Sequence, residues 1–555
     1  MSNSVEPDYE AIVVGAGVAG IYQIKRLLDL GVKATVLEAA PDLGGTWYWN
    51  RYPGARFDSE SYTYGYSFSK EVLDEWHWKE RFSPQSENRR YLSFVADKFD
   101  LRRHMQFNTR VEAATWDEDA RLWRLKVDDG RELSCRCMFL ALGLLSTPTL
   151  PRVPGMERFK GQQFHTFDWP HEPVDLAGKK VGVVGTGATG IQVIGEIADK
   201  VEELTVFQRR PNWSAPLNNG PISEAEMADI RGRYDEIFAT CARTPGGFEH
   251  EPNRTGFYEA TPAERKAFWD DMYDKPGFGI WMGNYREIFT DETANAEFSA
   301  YVADRIRRRV EDPAVAEKLI PRDHGFGVQR VPMETEYFEA YNRPNVRLVD
   351  LSETPIETVT ETGIRTSERD YDLDIIVYAT GFDAISGAFD QIDIRGVGGL
   401  KLKDKWDEDT RTFLGLLVHG FPNMLMSTGP QGGSASANYP RGIEMNVDWC
   451  TGLLEHMRAD GLTRVEPTAE AEAEWSQHVK DMYSMLLMRK ARSWFTGYNS
   501  NVPGHEGGKI RYFVYNGGAP RYAKRLREVR DHDYEGLTFA SAQAEAKRKT
   551  LAESA

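Results

Sequence analysis

The feature that most constrains the fold is a glycine-rich strand–turn–helix pattern that occurs twice in the 555 residues. The first copy, residues 10–38, reads EAIVVGAGVAGIYQIKRLLDLGVKATVLE. A short apolar strand leads into Gly15-x-Gly17-x-x-Gly20, a helix follows, and a second strand ends at Glu38. These glycines permit a tight turn, close approach of a pyrophosphate to the backbone, and close helix–strand packing. The carboxylate can accept hydrogen bonds from a ribose diol, so this copy predicts a site for FAD or NAD.

The second copy, residues 180–208, repeats the pattern but differs after its second strand. Gln208 stands where the first copy has Glu38, and Arg209 and Arg210 follow. Arginines bind a 2′-phosphate through charge-assisted hydrogen bonds, so this copy predicts NADP; the alternative is a solvated basic strand end. The loop residues expected to contact NADP are Thr186, Gly187, Ala188, Thr189 and Gly190.

Two dinucleotide sites in one chain are typical of a flavin and a nicotinamide that exchange hydride. The predicted fold class is α/β, with two Rossmann-like dinucleotide-binding domains and a helical insertion. The predicted boundaries are a discontinuous FAD-binding domain (1–144 and 382–555), an NADPH-binding domain (145–217 and 326–381) and the insertion (218–325).

Charge and cysteine content exclude several other classes. The net charge of −17 argues against nucleic acid or an anionic membrane surface as a partner. No apolar run approaches the roughly 18 residues of a membrane-spanning helix, and no secretory signal is recognisable, so a cytoplasmic location is expected. The four cysteines are too scattered for a zinc site, and no metal is expected.

Two further motifs carry a family resemblance. The segment FKGQQFHTFDWP has the spacing Phe159-x-Gly161-x-x-x-His165-x-x-x-Trp169, and residues 45–54 read GTWYWNRYPG. Both resemble signatures of the type I Baeyer–Villiger monooxygenases, in particular the phenylacetone, steroid and cyclohexanone monooxygenase group, and the resemblance runs from about residue 10 to residue 536. It implies tightly bound FAD, NADPH and O2, and conversion of a cyclic or bulky ketone to an ester or lactone through a C4a-peroxyflavin.

The resemblance also assigns a catalytic pair. Arg330, in GFGVQRVP, occupies the position of the family's catalytic arginine, and Asp58 is similar to the carboxylate that pairs with it. A guanidinium stays charged at any working pH and can stabilise a peroxide or an oxyanion. The alternative is a purely structural ion pair.

Other residues are assigned to cofactor or substrate by the same resemblance. The aromatic stretch is interpreted as a loop that covers the flavin ring and excludes water. His165 is interpreted as a structural residue at the junction of the two nucleotide domains, in preference to an acid–base catalyst. Residues expected near FAD are Thr46, Trp47, Tyr48, Trp49, Asp58, Tyr64 and Val111; those expected near NADP are Gln329, Arg330 and Trp494; those expected near substrate are Ser434, Ala435 and Trp494.

The chain departs from the family pattern at two places. Gln329 stands where relatives have a lysine that binds the 2′-phosphate, which predicts weaker discrimination between NADPH and NADH. The segment 493–505, SWFTGYNSNVPGH, has two more residues before its Pro-Gly than relatives often have, and His505 replaces a lysine. A longer segment of this kind is expected to affect substrate access.

Three other functions are alternatives to a Baeyer–Villiger monooxygenase. An N-hydroxylating or sulfur-oxidising flavoprotein monooxygenase shares both glycine loops. A disulfide reductase would need a CxxxxC pair, and none follows Glu38. An NADP-sensing binding module would leave the aromatic stretch and Asp58 without a role. The expected partners are a small ketone and O2, with the protein a monomer or a small homo-oligomer.

Overall fold

A computed structural model describes residues 6–433, 437–507 and 509–541. Its strands in chain order are β1 (Tyr9–Val14), β2 (Ala34–Leu37), β3 (Met105–Gln106), β4 (Val111–Asp117), β5 (Leu122–Val127), β6 (Glu132–Leu140), β7 (Gln162–His165), β8 (Lys180–Val184), β9 (Glu203–Gln208), β10 (Ala215–Pro216), β11 (Met333–Glu334), β12 (Val346–Asp350), β13 (Ile356–Val359), β14 (Gly363–Thr366), β15 (Asp370–Asp372), β16 (Ile375–Tyr378), β17 (Asp393–Arg395), β18 (Met424–Met426), β19 (Leu462–Pro467) and β20 (Leu537–Ser541).

The α-helices lie between these strands. In chain order they are α1 (Val18–Asp29), α2 (Thr46–Trp49), α3 (Ser61–Tyr64), α4 (Lys70–Glu75), α5 (Gln85–Lys98), α6 (Ala188–Ile197), α7 (Glu224–Arg243), α8 (Pro262–Asp274), α9 (Gly279–Met282), α10 (Glu292–Arg309), α11 (Pro313–Leu319), α12 (Tyr337–Ala340), α13 (Gly387–Asp390), α14 (Leu402–Glu408), α15 (Tyr439–Ala459), α16 (Ala469–Ser484) and α17 (Ala519–Asp531).

The first sheet has the order β17-β4-β5-β6-β1-β2-β3, with β18 paired to β6. Strands β6, β1, β2 and β3 run parallel, and β1 places four consecutive buried residues, Ile12 among them, in the sheet. A run of buried aliphatic residues is typical of a parallel strand covered on both faces. Helices α1 and α15 pack together over one face, and a second apolar cluster that includes Trp123 covers the other.

The second sheet is fully parallel, with the order β12-β9-β8-β16-β7. Two chain segments connect it to the first sheet, and they lie side by side. The Thr149 N–H donates to the Gly381 carbonyl at 2.9 Å, and Pro148 pairs with Phe382 in an antiparallel bridge. The α/β prediction with two Rossmann-like units is therefore confirmed.

Residues 218–325, all described, contain helices and connecting turns and no strand. Their apolar side chains do not form a separate core. Trp269 and Phe298 pack in one cluster with Val183 and Ile194 of the second Rossmann unit, whereas Tyr234 of α7 packs with the first unit. The insertion therefore joins both units.

No helix among the described residues is long and apolar enough to cross a membrane. The same part of the chain contains no group of three or more His, Cys, Asp or Glu side chains placed to hold a metal ion. All four cysteines are buried free thiols.

Candidate active site

The first glycine loop forms a cradle that only small residues allow. Gly15 has a φ of +103°, and a Cβ there would lie 2.6 Å from the Ala141 carbonyl oxygen. A Cβ on Gly20 would overlap the Gly15 carbonyl oxygen, while Gly17 caps the N-terminus of α1 without any side-chain cap. The free N–H groups at this helix end suit a pyrophosphate, so the residues present fit FAD as predicted.

Glu38 lies at the carboxyl end of β2, beside this cradle. Its Oε2 accepts the Ala16 N–H at 2.6 Å, and its Oε1 accepts the Ala40 N–H at 2.8 Å. Burial raises the pKa of Glu38, against the opposing effect of these two N–H groups. The carboxylate is therefore held at the rim of the cradle, where a ribose is expected.

The aromatic stretch is not the irregular loop that the sequence predicted. Residues Thr46–Trp49 form one helical turn, because the Asn50 and Trp49 N–H groups bond back to the carbonyls of Thr46 and Gly45. The paired glycines before it have positive φ, and a Cβ on Gly45 would lie 2.8 Å from the Gly17 Cα. This close approach brings the turn against the first glycine loop.

The four side chains of this turn have different environments. Trp47 is 5% exposed, and its Nε1 donates to the Tyr64 hydroxyl at 2.6 Å. Tyr48 is equally buried, whereas Trp49 is half-buried and stacks on Phe167 with ring centroids 5.2 Å apart. Thr46 is exposed, and Val111 is buried at the start of β4. Their contacts with FAD stay a prediction.

Arg330 and Asp58 form the pair that the family resemblance implied. Both guanidinium NH groups donate to the two carboxylate oxygens at 2.6 Å, and the Met333 N–H donates to Asp58 Oδ2 at 3.2 Å. Asp58 is 4% exposed. Burial opposes the charge on Arg330, but Asp58 outweighs it and raises the pKa of the guanidinium. A bidentate pair fixes the plane of the cation as well as its charge.

The pair also ties the two Rossmann units together. Asp58 follows the aromatic turn of the first unit, and Arg330 precedes β11, which pairs with β10. The Arg330 guanidinium lies 5.5 Å from the Phe278 ring of the insertion, with 28% of its side chain exposed. A fixed cation with an open side at a junction of three regions can stabilise a developing anion.

The second glycine loop repeats the geometry of the first. Gly185 has a φ of +110°, and Gly187 caps α6 with open space where a Cβ would stand. The Thr186 hydroxyl donates to the Arg210 carbonyl at 2.9 Å, which links the loop to the predicted phosphate-binding arginines. The cradle therefore fits a second dinucleotide.

The segment 492–500 contacts both arginines, which the sequence did not predict. Arg209 donates to the Ser500 hydroxyl, and Arg210 donates to the Arg492 carbonyl at 3.1 Å. Arg210 also lies 5.4 Å from the Tyr498 ring. Burial lowers the pKa of Arg209, and the neighbouring Arg210 adds to this effect.

Trp494 lies in the same segment, in a turn of 3₁₀ helix, half-buried against Phe495. Further along, the Asn499 side-chain amide donates to the Phe382 carbonyl at 2.8 Å, at the connection between the two sheets. The predicted contact of Trp494 with NADP and substrate stays a prediction. The other predicted substrate residues, Ser434 and Ala435, lie outside the described residues.

Gln329 lies in a polar chain that sequence reasoning missed. Its Nε2 is 3.1 Å from Asn212 Oδ1 and 2.6 Å from His324 Nε2. His324 Nδ1 is 2.7 Å from Asp323 Oδ1, and Asp323 Oδ2 is 3.4 Å from an Arg210 NH group. No local motif marks these residues, because the contacts join two separate parts of the chain, residues 210–212 and 323–329.

The segment with the spaced residues Phe159, Gly161, His165 and Trp169, here called the fingerprint, contains β7 at the edge of the second sheet. His165 ends β7 opposite Tyr378, its Nδ1 accepts the Phe167 N–H at 3.1 Å, and its Nε2 is buried with no partner among the described residues. Burial lowers the pKa of His165 to about 4, so the ring is neutral at pH 7. This agrees with a structural role, which stays a prediction.

The other fingerprint residues pack locally. Gly161 leaves no room for a Cβ, which would lie 2.5 Å from the Phe159 ring. The Trp169 carbonyl accepts a hydrogen bond from Arg51 of the aromatic stretch at 3.2 Å. The fingerprint therefore contacts the segment that leads to Asp58.

The chain matches known proteins in sequence and in fold. A profile of the family described as flavin-binding monooxygenase-like matches residues 9–218. The chain is 43% identical to 2-oxo-Delta(3)-4,5,5-trimethylcyclopentenylacetyl-CoA monooxygenase from Pseudomonas putida, over 97% of this chain and all of the relative. It is 41% identical to acetone monooxygenase (methyl acetate-forming) from Gordonia sp. strain TY-5, over 96% of this chain and 99% of the relative.

A crystal structure of OTEMO in complex with FAD and NADP superimposes with a TM-score of 0.92 at 43% identity, and it covers 96% of this chain and all of the other. Conversion of acetone to methyl acetate places one oxygen between a carbonyl carbon and its neighbour, as the sequence resemblance implied for a ketone. With relatives of this identity along nearly its whole length, the chain belongs to the Baeyer–Villiger monooxygenases of the flavin-binding monooxygenase-like family.

Proposed function

We propose that this chain is an FAD- and NADPH-dependent Baeyer–Villiger monooxygenase that converts cyclic or bulky ketones to lactones or esters with O2. The observation that carries the proposal is the bidentate Arg330–Asp58 pair in a chain with two glycine cradles that each fit a dinucleotide. Reduced FAD supplies the activation of O2 when it is bound.

The chain's own residues hold the cofactors and shape the reaction space. The α1 N-terminus and Glu38 suit the diphosphate and ribose of FAD, and Arg209 and Arg210 suit the 2′-phosphate of NADPH. Trp47 and Tyr48 fill the space beside the first cradle and keep water out.

Arg330 provides the fixed positive charge. An anionic oxygen that develops on its open side would be stabilised without reorganisation of the cation, because Asp58 already holds the guanidinium plane. His165 is unsuited to proton transfer at neutral pH, since burial keeps its imidazole neutral and one nitrogen already accepts a backbone N–H.

A cytoplasmic location and a monomeric or small homo-oligomeric state are part of the proposal. Four free, buried thiols support the location.

The test is product analysis with isotopic oxygen. The purified yellow protein is mixed with NADPH, ¹⁸O2 and a panel of cyclic ketones, and the lactone is examined by mass spectrometry. One ¹⁸O per lactone supports the proposal. A protein that oxidises only amines or thioethers is instead a heteroatom monooxygenase. A colourless protein that binds NADP and forms no product is a binding module.

A further inference from the structure

A buried ion pair links the segment that follows Asp58 to the insertion. Glu60 lies two residues after Asp58, at the start of α3, and its side chain is buried. Its Oε1 lies 2.8 Å from Nε2 of His250, which belongs to the insertion. Burial disfavours both charged forms, but the attraction between them outweighs it, which lowers the pKa of Glu60 and raises the pKa of His250. The two side chains therefore form a charged pair between the first Rossmann unit and the insertion.

The pair packs against the chain on both sides of Phe278. Gly277 has a φ of +77°, and a Cβ there would lie 2.7 Å from Glu60 Oε1. A Cβ on Gly279 would lie 3.4 Å from His250 Nδ1. Each member of the pair thus approaches the backbone on one side of Phe278, so the position of the pair constrains the position of this ring.

Phe278 in turn lies against the arginine that the proposed function uses. The Arg330 guanidinium carbon lies over the buried Phe278 ring, 5.5 Å from the ring centre. The Phe248 ring, two residues before His250, packs on Phe278 with ring centroids 5.2 Å apart. Asp58 holds the plane of the guanidinium, whereas Phe278 occupies space next to it. The ring therefore limits the directions from which a substrate can approach the cation.

A charged pair is a weak source of stability at a buried position. Removing two charges from water costs free energy that their attraction offsets only in part, and apolar side chains of similar volume often stabilise a protein at least as well. Glu60 Oε2 has no hydrogen-bond partner among the described residues, so nothing further offsets this cost there. What an ion pair adds over an apolar contact is a fixed distance and direction between its two groups.

We propose that Glu60 and His250 are positioning residues, which hold Phe278 against Arg330 and so determine how a ketone is oriented at the cation. This inference rests on the proposed function, in which an anionic oxygen develops on the open side of Arg330. Without the pair, Phe278 is free to shift, and a ketone binds less tightly and in more than one orientation. Orientation decides on which side of the carbonyl carbon the oxygen is inserted, so the ratio of lactone regioisomers reports on it.

The experiment compares wild type with Glu60→Leu/His250→Leu, both loaded with FAD. The double variant replaces the pair by apolar side chains and leaves no buried charge unpaired, so its melting temperature should stay close to that of wild type. Both proteins convert an unsymmetrical cyclic ketone that wild type accepts, and gas chromatography separates the two lactone regioisomers. In the double variant, kcat/KM for the ketone should fall about tenfold and the regioisomer ratio should change. Reduction of FAD by NADPH without ketone should proceed at the wild-type rate.

Two further variants separate positioning from stability. Glu60→Gln keeps an oxygen that can accept a hydrogen bond from His250, so it should keep the wild-type regioisomer ratio. Lys405→Met is the matched control, because it breaks a buried ion pair with Glu472, 2.9 Å long, between α14 and α16. It should lower the melting temperature and leave the regioisomer ratio unchanged. The ratio does not depend on the amount of active enzyme, so a merely structural role would not alter it.

The regioisomer ratio decides the outcome. A wild-type ratio in Glu60→Leu/His250→Leu would overturn the inference, as would an equal change of the ratio in Lys405→Met. Loss of FAD by the double variant would also overturn it, because the pair would then be a general stabilising element. Failure of the proposed function is distinguishable from these results, since the FAD-loaded wild type would then form no lactone from any ketone.

Discussion

The two Rossmann units share one backbone pattern but are completed in different ways. In the first, Glu38 is held by N–H groups of Ala16 and Ala40, which belong to the same βαβ unit. In the second, Arg209 contacts Ser500, 291 residues further along the chain. The first site is therefore built locally, whereas the second is completed by a distant segment. Similar glycine loops thus give sites whose selectivity depends on quite different parts of the molecule.

Glycine substitutions should show the largest difference between the two Rossmann units. A Cβ at Gly20 overlaps the Gly15 carbonyl oxygen, whereas a Cβ at Gly187 meets open space. Gly20→Ala should destabilise the protein by more than about 4 kcal/mol and abolish FAD retention. Gly187→Ala should leave the melting temperature unchanged and weaken only NADP⁺ binding, where the alanine methyl enters the space of the pyrophosphate. Flavin absorbance, thermal unfolding and nucleotide titration measure these effects; equal destabilisation by both variants would contradict the prediction.

Loss of the bidentate Arg330–Asp58 pair, which joins the units, should have the next largest effect. Arg330→Ala removes the cation proposed to stabilise the developing anion, so the rate of lactone formation should fall about 10²–10³-fold. Reduction of FAD by NADPH should continue, and the NADPH consumed should appear as hydrogen peroxide. Arg308→Ala, at an exposed helical pair with Asp304, is the matched control and should behave as wild type. Lactone formation by Arg330→Ala at the wild-type rate would refute the assigned role.

The free energy of unfolding should depend on pH because of His165. Its folded-state pKa of about 4 lies below the ordinary value of about 6.5, so the unfolded chain binds a proton more readily. Its contribution is therefore present above about pH 6.5 and is lost progressively as the pH falls towards 4, by about 2 kcal/mol at pH 5. Urea unfolding at pH 7 and pH 5 should show this loss in wild type and not in His165→Asn. An equal loss in both proteins would place its origin elsewhere.

The smallest effect should come from one arginine of the second unit. Arg210→Ala removes one of two cations at the end of β9, so the selectivity for NADPH over NADH should fall about tenfold, or about 1.4 kcal/mol. Steady-state kinetics with both cofactors measures it, and FAD content should not change because Glu38 lies in the other unit. Undiminished selectivity would mean that other residues bind the 2′-phosphate of NADPH.

Some elements could be predicted from the sequence because their information is local. The spacing of Gly15, Gly17 and Gly20 dictates a tight turn before a helix whatever surrounds it. The sequence predicted a loop at residues 45–50 because three consecutive aromatic residues show no periodicity. The helical turn at Thr46–Trp49 depends on the contact between Gly45 and Gly17.

The sequence by itself determined that this chain has two dinucleotide folds, one ending in Glu38 and one in Arg209 and Arg210, since these follow from residue type at fixed spacing. Only the tertiary structure decided that segment 492–500 contacts the two arginines and that His324 links Asp323 to Gln329. The physical reason is distance along the chain. Such contacts form only when whole sheets and helices have packed, and no periodicity in any one segment encodes which remote partner it will meet.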